Sequence, residues 1–231
     1  MIAITHVPSP NMDRCQLTHV ERVAIDYGRA CVQHADYCET FRSCGATVVT
    51  LDVNRDLPDC CFVEDTAIVL DEVAILTPMG TESRRREPAG IEPELRKYRD
   101  VVRVELPGTL EGGDVLHAGR TLLAGTTART NRAGIDALAT IAGRYGYRVL
   151  PVSVGGCLHL QTAVTALDDA TLLVNATWLD LQELRGFELV HVPPEEPWAA
   201  NVARVGATII AAAAYPRTAD LIRGRGYDVR I

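Results

Sequence analysis

Several features are missing from this sequence, and each absence narrows the reading. No run of 18 or more apolar residues occurs in its 231 residues, so no membrane-spanning helix is expected. The start, Met1-Ile2-Ala3-Ile4-Thr5-His6, has no basic region followed by an apolar run, so no secretory signal is expected. There is no excess of positive charge. Thirty acidic residues face 23 basic ones, a formal net charge of −7, which argues against nucleic acid or a membrane surface as partner and leaves room for a small cationic ligand. The seven cysteines are odd in number and lack paired metal-like spacing. They read as reduced thiols in a cytoplasmic protein, most of them small buried hydrophobes. No ligand set with suitable spacing points to a metal, and no organic cofactor is implied. No linker or low-complexity stretch interrupts the chain, so residues 1–231 are expected to form one domain.

What is present is a repeat. Five times a helix-like stretch ends near a Gly or polar break and runs into a β-branched strand: 46–51, 101–106, 147–152, 187–192 and 227–231. Their spacing of roughly 40–55 residues is close to that of repeat architectures. Helices are expected over Asp26 to Cys44, Asn131 to Tyr145 and Arg217 to Arg225. In the first, Tyr27, Cys31, His34, Cys38 and Phe41 make one stripe, with Asp26 as N-cap and Gly45 just past the end. Hairpin-like strand pairs follow at 62–70 with 73–77, 114–117 with 121–124, and 163–166 with 171–175. Residues 205–211 supply at least one strand of a fourth unit. The N-terminal strand 2–7 has no helix before it and can join the unit that begins with 227–231. The expected fold is α/β: five ββαβ units around a pseudo-fivefold axis, the last unit incomplete.

Three loops hold the reactive residues: Pro58-Asp59-Cys60-Cys61-Phe62-Val63-Glu64-Asp65, Gly108-Thr109-Leu110-Glu111-Gly112-Gly113-Asp114 and Gly155-Gly156-Cys157-Leu158-His159-Leu160. Two successive carboxylates within Phe-Val-Glu-Asp-Thr-Ala-Ile-Val are poorly placed as solvated charge, because a strand there turns one of them to the buried side. A strand through Leu158-His159-Leu160 turns the imidazole away from both leucines. Gly112-Gly113 fits either a tight turn or a close approach of the backbone to a ligand.

Phe62-Val63-Glu64-Asp65-Thr66-Ala67, Leu110-Glu111-Gly112-Gly113-Asp114 and Gly156-Cys157-Leu158-His159-Leu160 resemble the three core motifs of the guanidine-modifying superfamily. Its members have a five-bladed α/β propeller and include arginine deiminases, amidinotransferases and dimethylargininases. Cys15–Arg22, Ser83-Arg84-Arg85, Arg129-Thr130-Asn131 and Tyr215-Pro216-Arg217-Thr218 also match. The compact length favours the dimethylargininase-like branch. The resemblance implies a hydrolase that releases an alkylamine from an Nγ-substituted arginine and leaves citrulline. It implies that His159 is the general acid/base and that Glu111 bonds both histidine and guanidinium. It further implies that Asp65 grips the guanidinium nitrogens, that Asp59 and Glu64 line the pocket, and that Phe62 walls it. Arg84 and Arg129 would hold the α-carboxylate, and a homodimer would be the assembly. The chemistry agrees: a guanidinium is a poor electrophile, so attack needs carboxylates to fix its plane, a strong nucleophile, and an acid to expel the amine.

The resemblance places its nucleophilic cysteine past the strand matching 227–231, and no cysteine follows Cys157. Two expectations follow. Either a C-terminal segment of about 20–30 residues, the length of a loop and hairpin, carries the thiol, or the protein binds guanidino compounds without turning them over. Cys157, Cys60 and Cys61 lie near the motif loops but match no nucleophile. A propeller used only for protein interaction is disfavoured by the gathered acids.

Overall fold

The computed structural model describes residues Met1–Ile231. The chain divides into two compact units, Met1–Gly112 and Gly113–Ile231.

The first unit opens with β1 (Ile2–His6), α1 (Tyr27–Ser43) and β2 (Thr47–Leu51). Strands β1 and β2 pair in parallel and form a two-stranded sheet. The Asp26 carboxylate caps α1 by accepting the Arg29 N–H at 3.0 Å, as the sequence predicts. The stripe Tyr27, Cys31, His34, Cys38 and Phe41 is buried or half-buried. Next come β3 (Ala67–Val69), β4 (Val73–Leu76), α2 (Glu87–Leu95) and β5 (Asp100–Arg103). Strand β4 is central, antiparallel to β3 and parallel to β5. All four of its residues are buried, as a strand covered on both faces requires. Ile91 and Leu95 of α2 pack on Ala74 and Leu76 of β4.

The second unit repeats this pattern three times. Strands β6 (Val115–Ala118) and β7 (Thr121–Thr126), helix α3 (Arg132–Gly143) and β8 (Arg148–Ser153) form one sheet around β7. After the single turn α4 (Leu160–Ala163), strands β9 (Val164–Ala166), β10 (Thr171–Val174) and β11 (Glu188–His191) form another around β10. Strands β12 (Ala203–Val205) and β13 (Thr208–Ile210), helix α5 (Pro216–Gly224) and β14 (Asp228–Arg230) form the last around β13. In each, the first two strands are antiparallel and the third is parallel to the second. Asn131 caps α3 through the Gly134 N–H, 2.9 Å away. Leu123, Val152, Leu160, Val164, Leu172 and Val174 share one apolar core; Leu173, Ile209, Ala219 and Ile222 belong to a second.

Four expectations are corrected. Strand β1 pairs with β2 and does not join 227–231, and β14 completes a three-stranded sheet, so the two-stranded sheet is the first in the chain and not the last. The segment 62–70 is not strand throughout: Val63–Thr66 is a 3-10 turn that leads into β3. Leu158-His159-Leu160 is a bend that enters α4, not a strand. Between β10 and β11 the chain makes two 3-10 turns instead of a helix. No helix is long and apolar enough to cross a membrane.

Candidate functional site

In the first unit the predicted acids gather around one guanidinium. The 3-10 turn Val63–Thr66 directs Asp65 inward, 4% exposed, and leaves Glu64 exposed. This turn settles which of the two successive carboxylates is buried. A second 3-10 turn, Glu82–Arg84, delivers Arg84, which is 3% exposed. Its NH1 donates to Asp65 Oδ2 at 2.8 Å and lies 3.8 Å from Glu111 Oε2. Its Nε and NH2 donate to the carboxylate of Glu87, with NH2 2.8 Å from Oε2, and NH2 also donates to the Phe62 carbonyl at 3.3 Å. Burial alone would lower the pKa of Arg84, but hydrogen bonds and charge from Glu87 and Asp65 outweigh it and hold the group firmly cationic. Burial lifts Glu87 above the ordinary carboxylate value against the pull of Arg84, and the charges of Asp59 and Asp65 lift it further. Three carboxylates therefore share one cation.

Glu111 is fully buried and accepts the Gly80 N–H at 3.0 Å. Its loop runs hard against the first motif: a Cβ on Gly112 would stand 1.9 Å from the Glu64 carbonyl oxygen. The close approach anticipated for this glycine pair is thus to the protein's own backbone. Asp59 is 4% exposed and accepts the Gln16 N–H at 2.9 Å, which ties down the start of the Cys15–Arg22 segment. The Phe62 side chain is largely exposed.

In the second unit His159 stands at the N-cap of α4. Its Nδ1 is 3.3 Å from Asp114 Oδ1. The same oxygen accepts the Leu160 N–H at 3.0 Å. Oδ2 of Asp114 accepts the hydroxyls of Thr127 and Thr130, each at 2.7 Å. Arg129 lies between these threonines and is 6% exposed; its backbone N–H donates to Thr127 Oγ1. Asp114 closes the Glu-Gly-Gly-Asp motif, yet nothing in the sequence separates its role from that of Glu111. Its partners lie up to 46 residues away. Glu87 carries no sequence signal beyond standing three residues after Arg84.

The thiols near the motif loops are held protonated. Cys157 donates to the His159 carbonyl at 3.3 Å, and burial together with the charge of Asp114 pushes its pKa up to about 11. Burial likewise pushes Cys60 to about 12 and Cys61 to about 11, and raises Cys15. None has the lowered pKa that marks an activated cysteine.

The first unit holds a buried anionic cluster suited to a cation; the second holds a histidine beside a buried carboxylate. A family model for eukaryotic N,N dimethylarginine dimethylhydrolase matches residues 11–185. A dimethylarginine dimethylaminohydrolase of Streptomyces coelicolor is 39% identical over 98% of this chain and 87% of its own length. One from Pseudomonas aeruginosa is 34% identical over 88% of this chain and 81% of its own. A structure of the Pseudomonas aeruginosa protein, a cysteine-to-serine mutant complexed with citrulline, superposes with a TM-score of 0.93 at 31% identity, covering 100% of this chain and 91% of that one. The chain belongs to the dimethylarginine dimethylaminohydrolase family, as the motifs imply.

Proposed function

We propose that this protein hydrolyses a C–N bond in an Nγ-substituted arginine of the dimethylarginine type, giving citrulline and an alkylamine. The observation that carries the reading is the anionic cluster of Asp59, Asp65, Glu87 and Glu111, all buried, three of them in contact with one guanidinium. Such a cluster is costly to bury and suits a second, planar cation that pairs edge-on with carboxylates. Asp65 and Glu111 grip the substrate guanidinium. Asp59, Glu64 and Phe62 line its place, and Arg129 faces its α-carboxylate; the resemblance gives that role to Arg84 as well, but its Nε and NH2 are engaged by Glu87 and its NH1 by Asp65. His159 protonates the departing amine and then takes a proton from the water that releases citrulline. A thiolate that adds to the guanidinium carbon, and leaves again when water attacks, is carried over from the resemblance alone. The ring of five units and the single domain expected from the repeat belong to the same proposal.

The second reading is a guanidino-compound binding protein. The protonated state of Cys15, Cys60, Cys61 and Cys157 favours it. Citrulline and alkylamine release separates the two readings. Turnover of dimethylarginine, reduced at least ~100-fold by His159→Ala as loss of a general acid/base requires, supports hydrolysis. Undiminished activity in that variant refutes the role of His159. Saturable binding of dimethylarginine with no product would establish the binding protein.

A further inference from the structure

We infer that Glu87 is a positioning residue that fixes Arg84, and through it Asp65, for the ligand; the inference rests on the proposed function of this cluster. Glu87 is 1% exposed and is the first residue of α2. Both of its carboxylate oxygens meet one edge of the Arg84 fork: Nε at 3.1 and 3.2 Å, and NH2 at 2.8 Å. A guanidinium is rigid and planar. Once one edge is held by two oxygens, the direction of the opposite nitrogen is set. That nitrogen, NH1, makes the 2.8 Å bond to Asp65 and points toward Glu111. Glu87 therefore determines where Asp65 is anchored without itself being a member of the gripping pair.

A purely structural salt bridge explains this less well. Helix α2 already has an apolar anchor in Ile91 and Leu95, which pack on β4. Its first turn is also tied to the loop after β2, where Asn54 Nδ2 donates to the Glu87 carbonyl at 2.9 Å. A buried ion pair adds little stability over apolar packing of similar volume. It does supply a fixed direction, and a gripping carboxylate needs one, because small misplacements of binding groups are costly.

The test is Glu87→Gln, which keeps the shape and removes the charge, with Glu87→Asp as a milder second variant should the first fail to fold. Affinity for dimethylarginine and for citrulline would be measured by calorimetry, alongside Tm and, where turnover occurs, kcat and KM. The expected result is at least a ten-fold weaker Kd or a ten-fold higher KM in Glu87→Gln, with a smaller change in kcat and an intermediate effect in Glu87→Asp. Unchanged Kd and KM with a lowered Tm would overturn the inference and leave a structural ion pair. Should the wild-type protein bind neither ligand, the proposed function fails, and the Arg84 Nε–H resonance decides the positioning separately. Faster proton exchange at that site in Glu87→Gln supports it; exchange identical to wild type overturns it.

Discussion

Gly112 shows how a single hydrogen atom in place of a side chain sets the site. Any Cβ there would meet the Glu64 carbonyl at 1.9 Å, well inside contact distance, and that oxygen is backbone. The neighbour cannot swing aside as a flexible side chain would. Gly112→Ala is therefore expected at the upper end of overpacking costs, about 3 kcal/mol, and should also loosen ligand binding, because Glu64 and Asp65 share the displaced turn. Urea unfolding of the variant measures the first effect and calorimetry the second; a cost near zero would mean that the loops can separate freely. At this scale the sequence was partly legible. The Glu-Gly-Gly-Asp pattern marks a constrained, acid-bearing loop, and Asp65, Glu111 and His159 stand out as candidates. The division of labour does not show. That Asp65 is buried while Glu64 is exposed follows from a 3-10 turn, and Asp114 becomes the partner of His159 only when Thr127, Thr130 and Leu160 converge on it.

Elements bring these residues to their places, and the connection from β8 to α4 does so for His159. The Gly155 N–H donates to the Trp178 carbonyl at 2.9 Å, and Val154 bridges Leu179. Gly156 has φ +81°, and a Cβ on it would lie 2.5 Å from Cδ1 of Trp178. Trp178 in turn packs on Trp198, with ring centroids 4.7 Å apart. Downstream, the Leu160 N–H is held by Asp114, so the histidine sits in a short span tethered at both ends. Gly156→Ala is expected to lower Tm and the affinity or rate that depends on His159, through both backbone strain and the indole clash. Adding Trp178→Ala should return part of the loss, the clash, and leave the strain. Strictly additive effects in the double variant would mean that Trp178 does not act on this loop. The sequence pattern reads Leu158-His159-Leu160 as strand because three alternating residues cannot distinguish a strand from a bend that enters a helix. Helix α2 is expected from the repeat before strand 101–106, but its bounds are not legible, for a different reason. Pro88, Gly90 and Pro93 all read as breakers, yet Pro88 falls in the first helical turn, where a missing N–H costs nothing, and Ile91 and Leu95 secure the helix by packing on β4. Strands with long β-branched runs, and helices with a capping Asp26 or Asn131, are the elements the sequence marks clearly, because local chemistry and tertiary packing agree there.

For the whole molecule, the cysteines link burial to stability. Cys60, Cys61 and Cys157 have pKa values of about 12, 11 and 11, against an ordinary value of 9.0. Burial is the first cause in each, with neighbouring carboxylates or thiols adding to it. In the unfolded chain these thiols ionise near pH 9, whereas in the folded protein they stay protonated to higher pH. A raised pKa of this kind leaves stability intact below the unfolded value and erodes it as pH rises toward the folded one, because only the unfolded state releases the proton. Stability should therefore hold to about pH 9 and fall between pH 9 and 11. The urea midpoint measured across that range, for wild type and for Cys157→Ala, checks this. The variant has one fewer proton to release on unfolding, so its midpoint should fall less steeply over the same window. Alkylation gives an independent reading: Cys157 in the folded protein should react slowly with iodoacetamide at pH 8 and faster with each unit up to about 11. Parallel midpoint curves, or rapid alkylation at pH 8, would show that Cys157 ionises as freely in the folded protein as in the unfolded chain. That result would also return Cys157, two residues from His159, to consideration as a nucleophile.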